Sequence, residues 1–412
     1  MFNNLEPQIR RSLLVLFITG LLFWCSIGSQ LPTIPLYAED MGGTKQQIGL
    51  VMGSFAIGLL VFRQPLGWLA DNGGLLLVVK IGVSVAATAP IGYLFANSIP
   101  ILMAIRAFHG ISIAAYATGS SALVAELSPP RQRGEILGYM TLVNPLGVAI
   151  GPAIGGLVME EFGYKFLFLM ASAFGIVGLI CAWQIPFTKT AQSPATVETA
   201  KISKNESFWR LVASPRLLVP TAVMLSVGLV FGTLSTFMPL FIKDAEMNMN
   251  AGWFYTAAAI SSFISRFLAG RASDRYGRGL FVSGSLVLYI ASMAILCTAT
   301  GSSFIIISAI LEGAGAGILI PTILALVADR STSKERGRVF ALCIGGFDLG
   351  MAFAGPTLGA FADALGYRSM FALACALATA ALVLFVTKCS KDTATSVRYA
   401  IGREKDWYAL NE

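Results

Sequence analysis

Gly270-Arg271-Ala272-Ser273-Asp274-Arg275-Tyr276-Gly277-Arg278 has a counterpart 203 residues earlier, in Gly67-Trp68-Leu69-Ala70-Asp71-Asn72-Gly73-Gly74. The offset reaches well beyond that turn. Asp71 answers to Asp274, Glu126 to Asp329 and Gly134 to Gly337. With a slip of at most one residue, Gly151-Pro152 answers to Gly355-Pro356, and Phe162-Gly163-Tyr164 to Leu365-Gly366-Tyr367. The chain is a duplication whose two copies are almost wholly apolar. A duplicated bundle of apolar helices is the layout of a secondary transporter with its substrate path between the halves.

Composition agrees. Of the residues 56% are hydrophobic and 12% charged, with a mean hydropathy of +0.73, against about 25% charged in soluble domains. Segments of about 20 apolar residues cross a bilayer. Twelve can be drawn: 12–37, 47–68, 75–96, 99–125, 136–158, 165–186, 217–242, 251–270, 280–300, 303–328, 338–361 and 367–387. The expected fold is an all-α membrane protein, twelve transmembrane helices in two pseudo-symmetric six-helix bundles. Residues 1–186 form the first bundle and 217–387 the second. Between them, 187–216 is a polar linker expected to be partly disordered, in which Phe208-Trp209-Arg210-Leu211-Val212 suits a short helix on the membrane surface. Residues 388–412 are a polar tail about which the sequence says little.

Basic residues fix the orientation. Arg10, Arg11, Arg131, Arg133, Arg275, Arg278, Arg330, Lys334 and Arg336 fall on one side, together with the tail's Lys388, Lys391 and Arg398. The other side has Lys45, Lys165, Lys243 and Arg368. Both termini are expected in the cytoplasm, in a multi-pass protein of the plasma (inner) membrane. The net charge of +7 follows from this asymmetry without a nucleic-acid partner. The basic-then-apolar N-terminus reads as an uncleaved first helix. None of the six cysteines forms a C-x-x-C pair, so disulfides or zinc are not expected. The absence of a phosphate-binding Gly-x-x-x-x-Gly-Lys-Ser/Thr loop argues against ATP-driven transport and against an enzyme.

The two turns carry a known pattern. Gly-x-x-x-Asp-Arg-x-Gly-Arg between such spans resembles the major facilitator superfamily, over about residues 10–390. The resemblance implies that Asp71, Asp274, Arg275 and Arg278, with Glu126 and Asp329 at the ends of spans four and ten, latch the cytoplasmic side. Arg275 and Arg278 are expected to pair with Asp329. Asp71 is expected near Val339 and Asp274 near Glu135, each against a helix start. The first copy departs from the pattern, with Asn72, Leu75 and Leu76 where basic residues are usual, so its latch should be weaker. Plain solvated turns are the competing reading. In span five, Gly147-Val148-Ala149-Ile150-Gly151-Pro152-Ala153-Ile154-Gly155-Gly156 resembles the superfamily's antiporter motif, associated with exporters. Small residues at this spacing also serve ordinary close packing.

Ionisable residues at mid-membrane cost about 2.5–3.5 kcal/mol each. Arg106, His109, Glu312 and Asp348 lie well inside their spans. Arg106 and His109 share a helix face. The run Arg106-Ala107-Phe108-His109-Gly110 resembles the family's fourth-span motif, whose arginine is linked to proton transfer, although glutamine is more usual where His109 stands. His109 and Glu312 are register mates. Facing each other, they would form a site able to hold one proton more or fewer. Substrate hydrogen bonding and a purely structural pair are the alternatives. Trp24, Gln30, Tyr116, Thr236 and Phe237 are the candidates for a substrate-cavity wall.

The reading is a secondary transporter of small organic solutes, a monomer in membrane lipid that needs no cofactor and draws on a proton gradient. Efflux by alternating access leads, on the strength of the fifth-span motif. Uptake of a sugar or similar solute is the alternative, and a non-transporting membrane sensor a third.

Overall fold

The computed structural model describes residues 5–129, 132–185, 214–332 and 335–410. Every regular element among them is an α-helix: α1 Pro7–Ser29, α2 Ile34–Asp40, α3 Lys45–Gly73, α4 Leu75–Tyr93, α5 Ile99–Leu127, α6 Arg133–Met140, α7 Val143–Trp183, α8 Pro215–Asp244, α9 Gly252–Tyr276, α10 Arg278–Thr298, α11 Ser302–Asp329, α12 Arg336–Lys388 and α13 Thr393–Ala400. Most of the expected linker, including Phe208–Val212, lies outside the described residues.

Nine helical segments among the described residues are long and apolar enough to cross a membrane. Two of these, in α7 and α12, each fold into two spans at a glycine, Gly163 (φ 81°) and Gly366 (φ 80°). With α9, which is more polar, the spans number twelve. The tight turns before α4 and α10 likewise rest on Gly74 (φ 98°) and Gly277 (φ 95°). Side chains resist this left-handed region and glycine does not. Both pairs are separated by the repeat offset, so the duplication copied backbone geometry along with sequence. Large side chains such as Phe267 and Trp68 stand 83% and 68% exposed. A chain in water would bury surfaces of that kind; a bilayer receives them.

Two helix starts differ from expectation. The first span is not one rod over 12–37: α1 ends at Ser29 and α2 starts at Ile34. Pro32 lies in the break and lacks the N–H that would continue the helix, while Pro35 sits in the first turn of α2, where no such N–H is needed. The fifth span likewise opens as the short α6, broken at Thr141-Leu142 just before Pro145.

The chain packs as two compact units that do not follow the sequence halves. Taking only the described residues within each range, one comprises Met1–Phe187, Leu234–Ile260 and Gly355–Ala364, and the other Thr188–Thr233, Ser261–Ala354 and Leu365–Glu412. In the first unit α7 packs along α1 and α5 lies between α3 and α4; in the second, α10 packs on α11.

Candidate functional site

In the first unit, His109 is wholly buried on α5. Its Nδ1 lies 2.9 Å from the Tyr93 hydroxyl at the end of α4, and its Nε2 meets no hydrogen-bonding group. Phe55 of α3 stands edge-on to the imidazole with centroids 5.6 Å apart. The Arg106 guanidinium lies over the same Phe55 ring, 4.5 Å from its centre. One Arg106 nitrogen is 3.8 Å from the Met52 sulfur, while Nε is buried without a partner. Backbone contact between α3 and α5 makes this arrangement possible. A Cβ on Gly58 would meet the Ala107 carbonyl oxygen at 1.8 Å, and one on Gly110 the Phe55 carbonyl oxygen at 1.9 Å. Behind Tyr93, its ring packs on Phe168 at 5.3 Å, and the Tyr37 hydroxyl donates to the Tyr93 carbonyl at 3.1 Å.

In the second unit, Glu312 on α11 is 4% exposed and lies beside the fully buried Tyr289 of α10. Neither the Tyr289 hydroxyl nor Glu312 Oε1 completes a hydrogen bond of ordinary length. Asp348 is buried on α12. Next to it, the Phe347 carbonyl oxygen would lie 2.2 Å from a Cβ on Gly228, so α8 and α12 cross in backbone contact. Each half thus sets a tyrosine of its third span against an ionisable group of its fourth. Composition and spacing do not single out Tyr93 or Tyr289; a tyrosine buried in a bundle of apolar helices needs a hydroxyl partner, and that is the available signal.

The antiporter-like glycines pack against α1. Cβ atoms on Gly147, Gly151 and Gly155 would come within 2.3 Å of the Trp24 Cβ, 2.8 Å of the Cys25 carbonyl oxygen and 2.2 Å of the Ser29 carbonyl oxygen. Gly156 abuts Asn250, and the Pro152 carbonyl abuts Gly252. Thr256 donates to the Ala149 carbonyl at 2.7 Å. The same contact recurs between Gly49 and Gly355, whose backbones would clash with any Cβ at about 2 Å. Gly49 and Gly252 are 203 residues apart, as are Pro152 and Gly355, so the two seams are register mates. Charges close the same end of this unit. Lys243 pairs with Glu39 at 2.8 Å and with Asp40, its own register mate, at 3.0 Å. Asp40 also accepts from the Tyr164 hydroxyl at 2.7 Å. Asp363 accepts from the Lys45 and Gln46 amides at 3.1 and 3.0 Å, at the start of α3. Opposite charges at register-mated positions were the overlooked signal for this cluster.

The remaining wall candidates are buried. Gln30 is wholly enclosed and donates to the Ser26 carbonyl at 2.9 Å, leaving Oε1 without a partner. Tyr116 stacks on Phe23 at 4.2 Å within the apolar core. Thr236 and Phe237 are buried in α8.

At the loops, Arg278 donates to Asp274 at 2.9 Å and also pairs with Asp329. Arg275 does not join them as expected; it lies over the Tyr276 ring, 5.4 Å from its centre. Arg278, one helical turn after Asp274, already occupies both carboxylates. Asp71 is exposed and unpaired among the described residues, Asn72 turns back to the Trp68 carbonyl at 2.8 Å, and Glu126 is exposed. The tail, unread in the sequence, docks here. Arg330 is fully buried, holding Asp406 at 2.7 and 2.8 Å and donating to the carbonyls of Arg216 and Cys389, each at 2.9 Å. The Leu410 amide donates to the Asp329 carbonyl at 2.8 Å.

Residues 16–278 and 248–409 match the family model described as Major Facilitator Superfamily. The uncharacterized MFS-type transporter MJ1560 of Methanocaldococcus jannaschii is 24% identical over 88% of this chain and 94% of its own length. The quinolone resistance protein NorA of Staphylococcus aureus is 26% identical over 71% of this chain and 75% of its own. Among solved structures, the nucleoside transporter NupG superposes with a TM-score of 0.79 at 14% identity, covering 91% of this chain and 99% of that one.

Proposed function

The chain belongs to the Major Facilitator Superfamily, an integral multi-pass membrane transporter of small solutes and not an enzyme, and on that footing we propose that it is a proton-coupled exporter working by alternating access. The observation that carries the reading is the pair of buried ionisable sites: His109 beside Tyr93 and Glu312 beside Tyr289. A carboxyl group enclosed in a membrane span with an unsatisfied oxygen is costly unless it is used. A proton that comes and goes with each cycle is such a use. Export rather than uptake is supported by the glycine face of α7, closely packed along α1. NorA, whose name is quinolone resistance, makes quinolones sensible first compounds to try. We further read the protein as a monomer of the plasma membrane with both termini in the cytoplasm. Its two six-helix halves, 1–186 and 217–387, are joined by the linker 187–216. Asp274, Arg278 and Asp329 serve as gating residues, with Asp71 at most a weak counterpart, and Gln30 and Trp24 as substrate contacts.

The test compares the growth medium of cells lacking and overexpressing the protein by untargeted mass spectrometry, with and without a protonophore. A compound that builds up outside only with the protein and only with the gradient is expected. Glu312→Gln should abolish that accumulation while the protein still inserts in the membrane. Full activity of Glu312→Gln would end the proton role of this residue, and gradient-dependent disappearance of a medium solute would replace export by uptake.

A further inference from the structure

Lys80 lies five residues into α4, about 7.5 Å of rise from the helix start. Its ammonium sits 3.8 Å from the centre of the Trp183 ring, at the last residue of α7. No carboxylate pairs with it among the described residues. A lysine inside a span normally snorkels to the interface or meets a countercharge. This one has no countercharge among the described residues and stands in a groove of about 570 Å³ whose walls include Leu77, Ile81, Val85, Phe108 and Trp183. The groove faces outward from the first unit: Trp183 is 67% exposed, and Leu77 and Phe108 are each 44% exposed. Its mouth is at the ends of α4 and α7 on the side of the Gly73-Gly74 turn. A tryptophan there marks headgroup depth. The register position of Lys80 in the second copy is Ser283, so the duplication does not explain the charge.

We propose that this groove binds an anionic phospholipid of the adjoining leaflet, with the phosphate on the Lys80 ammonium and an acyl chain along Leu77, Ile81, Val85 and Phe108. The bilayer supplies both parts of that ligand. The apolar wall takes the chain, and the uncompensated lysine selects a headgroup with net negative charge over a zwitterion that carries its own cation. Trp183 confines the ammonium from one side and leaves its other face to the phosphate. The site is independent of the direction of transport and of the proton reading.

The experiment uses the full-length protein purified in detergent and stripped of lipid. Retention of dioleoylphosphatidylglycerol and dioleoylphosphatidylcholine is measured by native mass spectrometry, and the melting midpoint by intrinsic fluorescence. The expected result is preferential retention of the phosphatidylglycerol with a raised midpoint. Lys80→Gln should lower that retention about fivefold, the factor one lysine contributes near an anionic surface. Its lipid-free midpoint should stay unchanged, and Lys80→Arg should retain the lipid. Equal retention of both lipids by the wild-type protein would overturn the proposal, as would equal retention of phosphatidylglycerol by wild type and Lys80→Gln. Soluble glycerol 1-phosphate, which has no chain for the groove, should not compete; if it does so at equal concentration, the site is a phosphate site and not a lipid site.

Discussion

Asp274 and Asp71 occupy the same register position, and each precedes a turn made by a glycine with positive φ. Their surroundings differ sharply. Asp274 belongs to a chain of charges through Arg278 to Asp329, behind which Arg330 is buried under the tail. Asp71 stands exposed among the described residues. Two positions account for the contrast: Arg278 corresponds to Leu75 and Arg330 to Leu127. The duplication kept the backbone of the turn in both copies and the ionic partners in only one. A motif aspartate becomes a latch only where its cation is also present.

The contrast can be broken at Arg330. This guanidinium is fully buried with a carboxylate 11% exposed. Removing one partner of a buried pair costs about 3–5 kcal/mol, because the other charge is stranded. Arg330→Met should therefore lower the unfolding midpoint markedly in detergent, and Leu127→Met, at the matching position, should cost less than about 1.5 kcal/mol. Equal losses would mean that the tail contact adds nothing. A smaller effect is expected at the aspartates themselves. The Asp274 side chain is 66% exposed and its Arg278 partner 22%, so the pair contributes about 1 kcal/mol at most. Asp274→Asn should shift the open and closed populations, read by cysteine accessibility, by up to about fivefold. Asp71→Asn should shift them less, and a matching shift would show that ion pairing is irrelevant to the latch.

The smallest change sharpens the role of the tail. Burial pushes the Cys389 thiol up to about 11, against the opposing pull of Arg330. At pH 8 the group is therefore protonated and slow to alkylate, since the thiolate is the reactive form. Asp406→Asn should loosen the cover and speed maleimide labelling of Cys389 several-fold, with the rate rising further as pH increases. An unchanged rate would show that Asp406 does not hold the tail in place.

The tyrosines show where sequence reading ran short. His109 and Glu312 were legible as costly charges in apolar spans and as register mates. What each one touches depends on where α4 and α10 cross their neighbours, at Tyr93 and Tyr289. Those two tyrosines are not register mates, so symmetry could not supply them. Lys80 falls inside the span expected over 75–96 and nothing along the chain marks it; its seat over Trp183 and the open groove set it apart.

The duplication, the apolar spans and the glycines that must turn or pack are legible in the order of residues alone. These are local or periodic properties: hydropathy over about 20 residues decides whether a helix crosses a bilayer, and a missing Cβ decides where backbone can fold or meet. The same order also placed the aspartates and arginines of the loops. The pairing of Arg278 with Asp329 is legible there too, whereas the burial of Arg330 beneath residues 389–410 and the pairing of Lys243 with Asp40 come only from the tertiary packing. Such pairings join residues far apart in the chain. Their worth depends on burial and distance, neither of which a linear order of residues encodes.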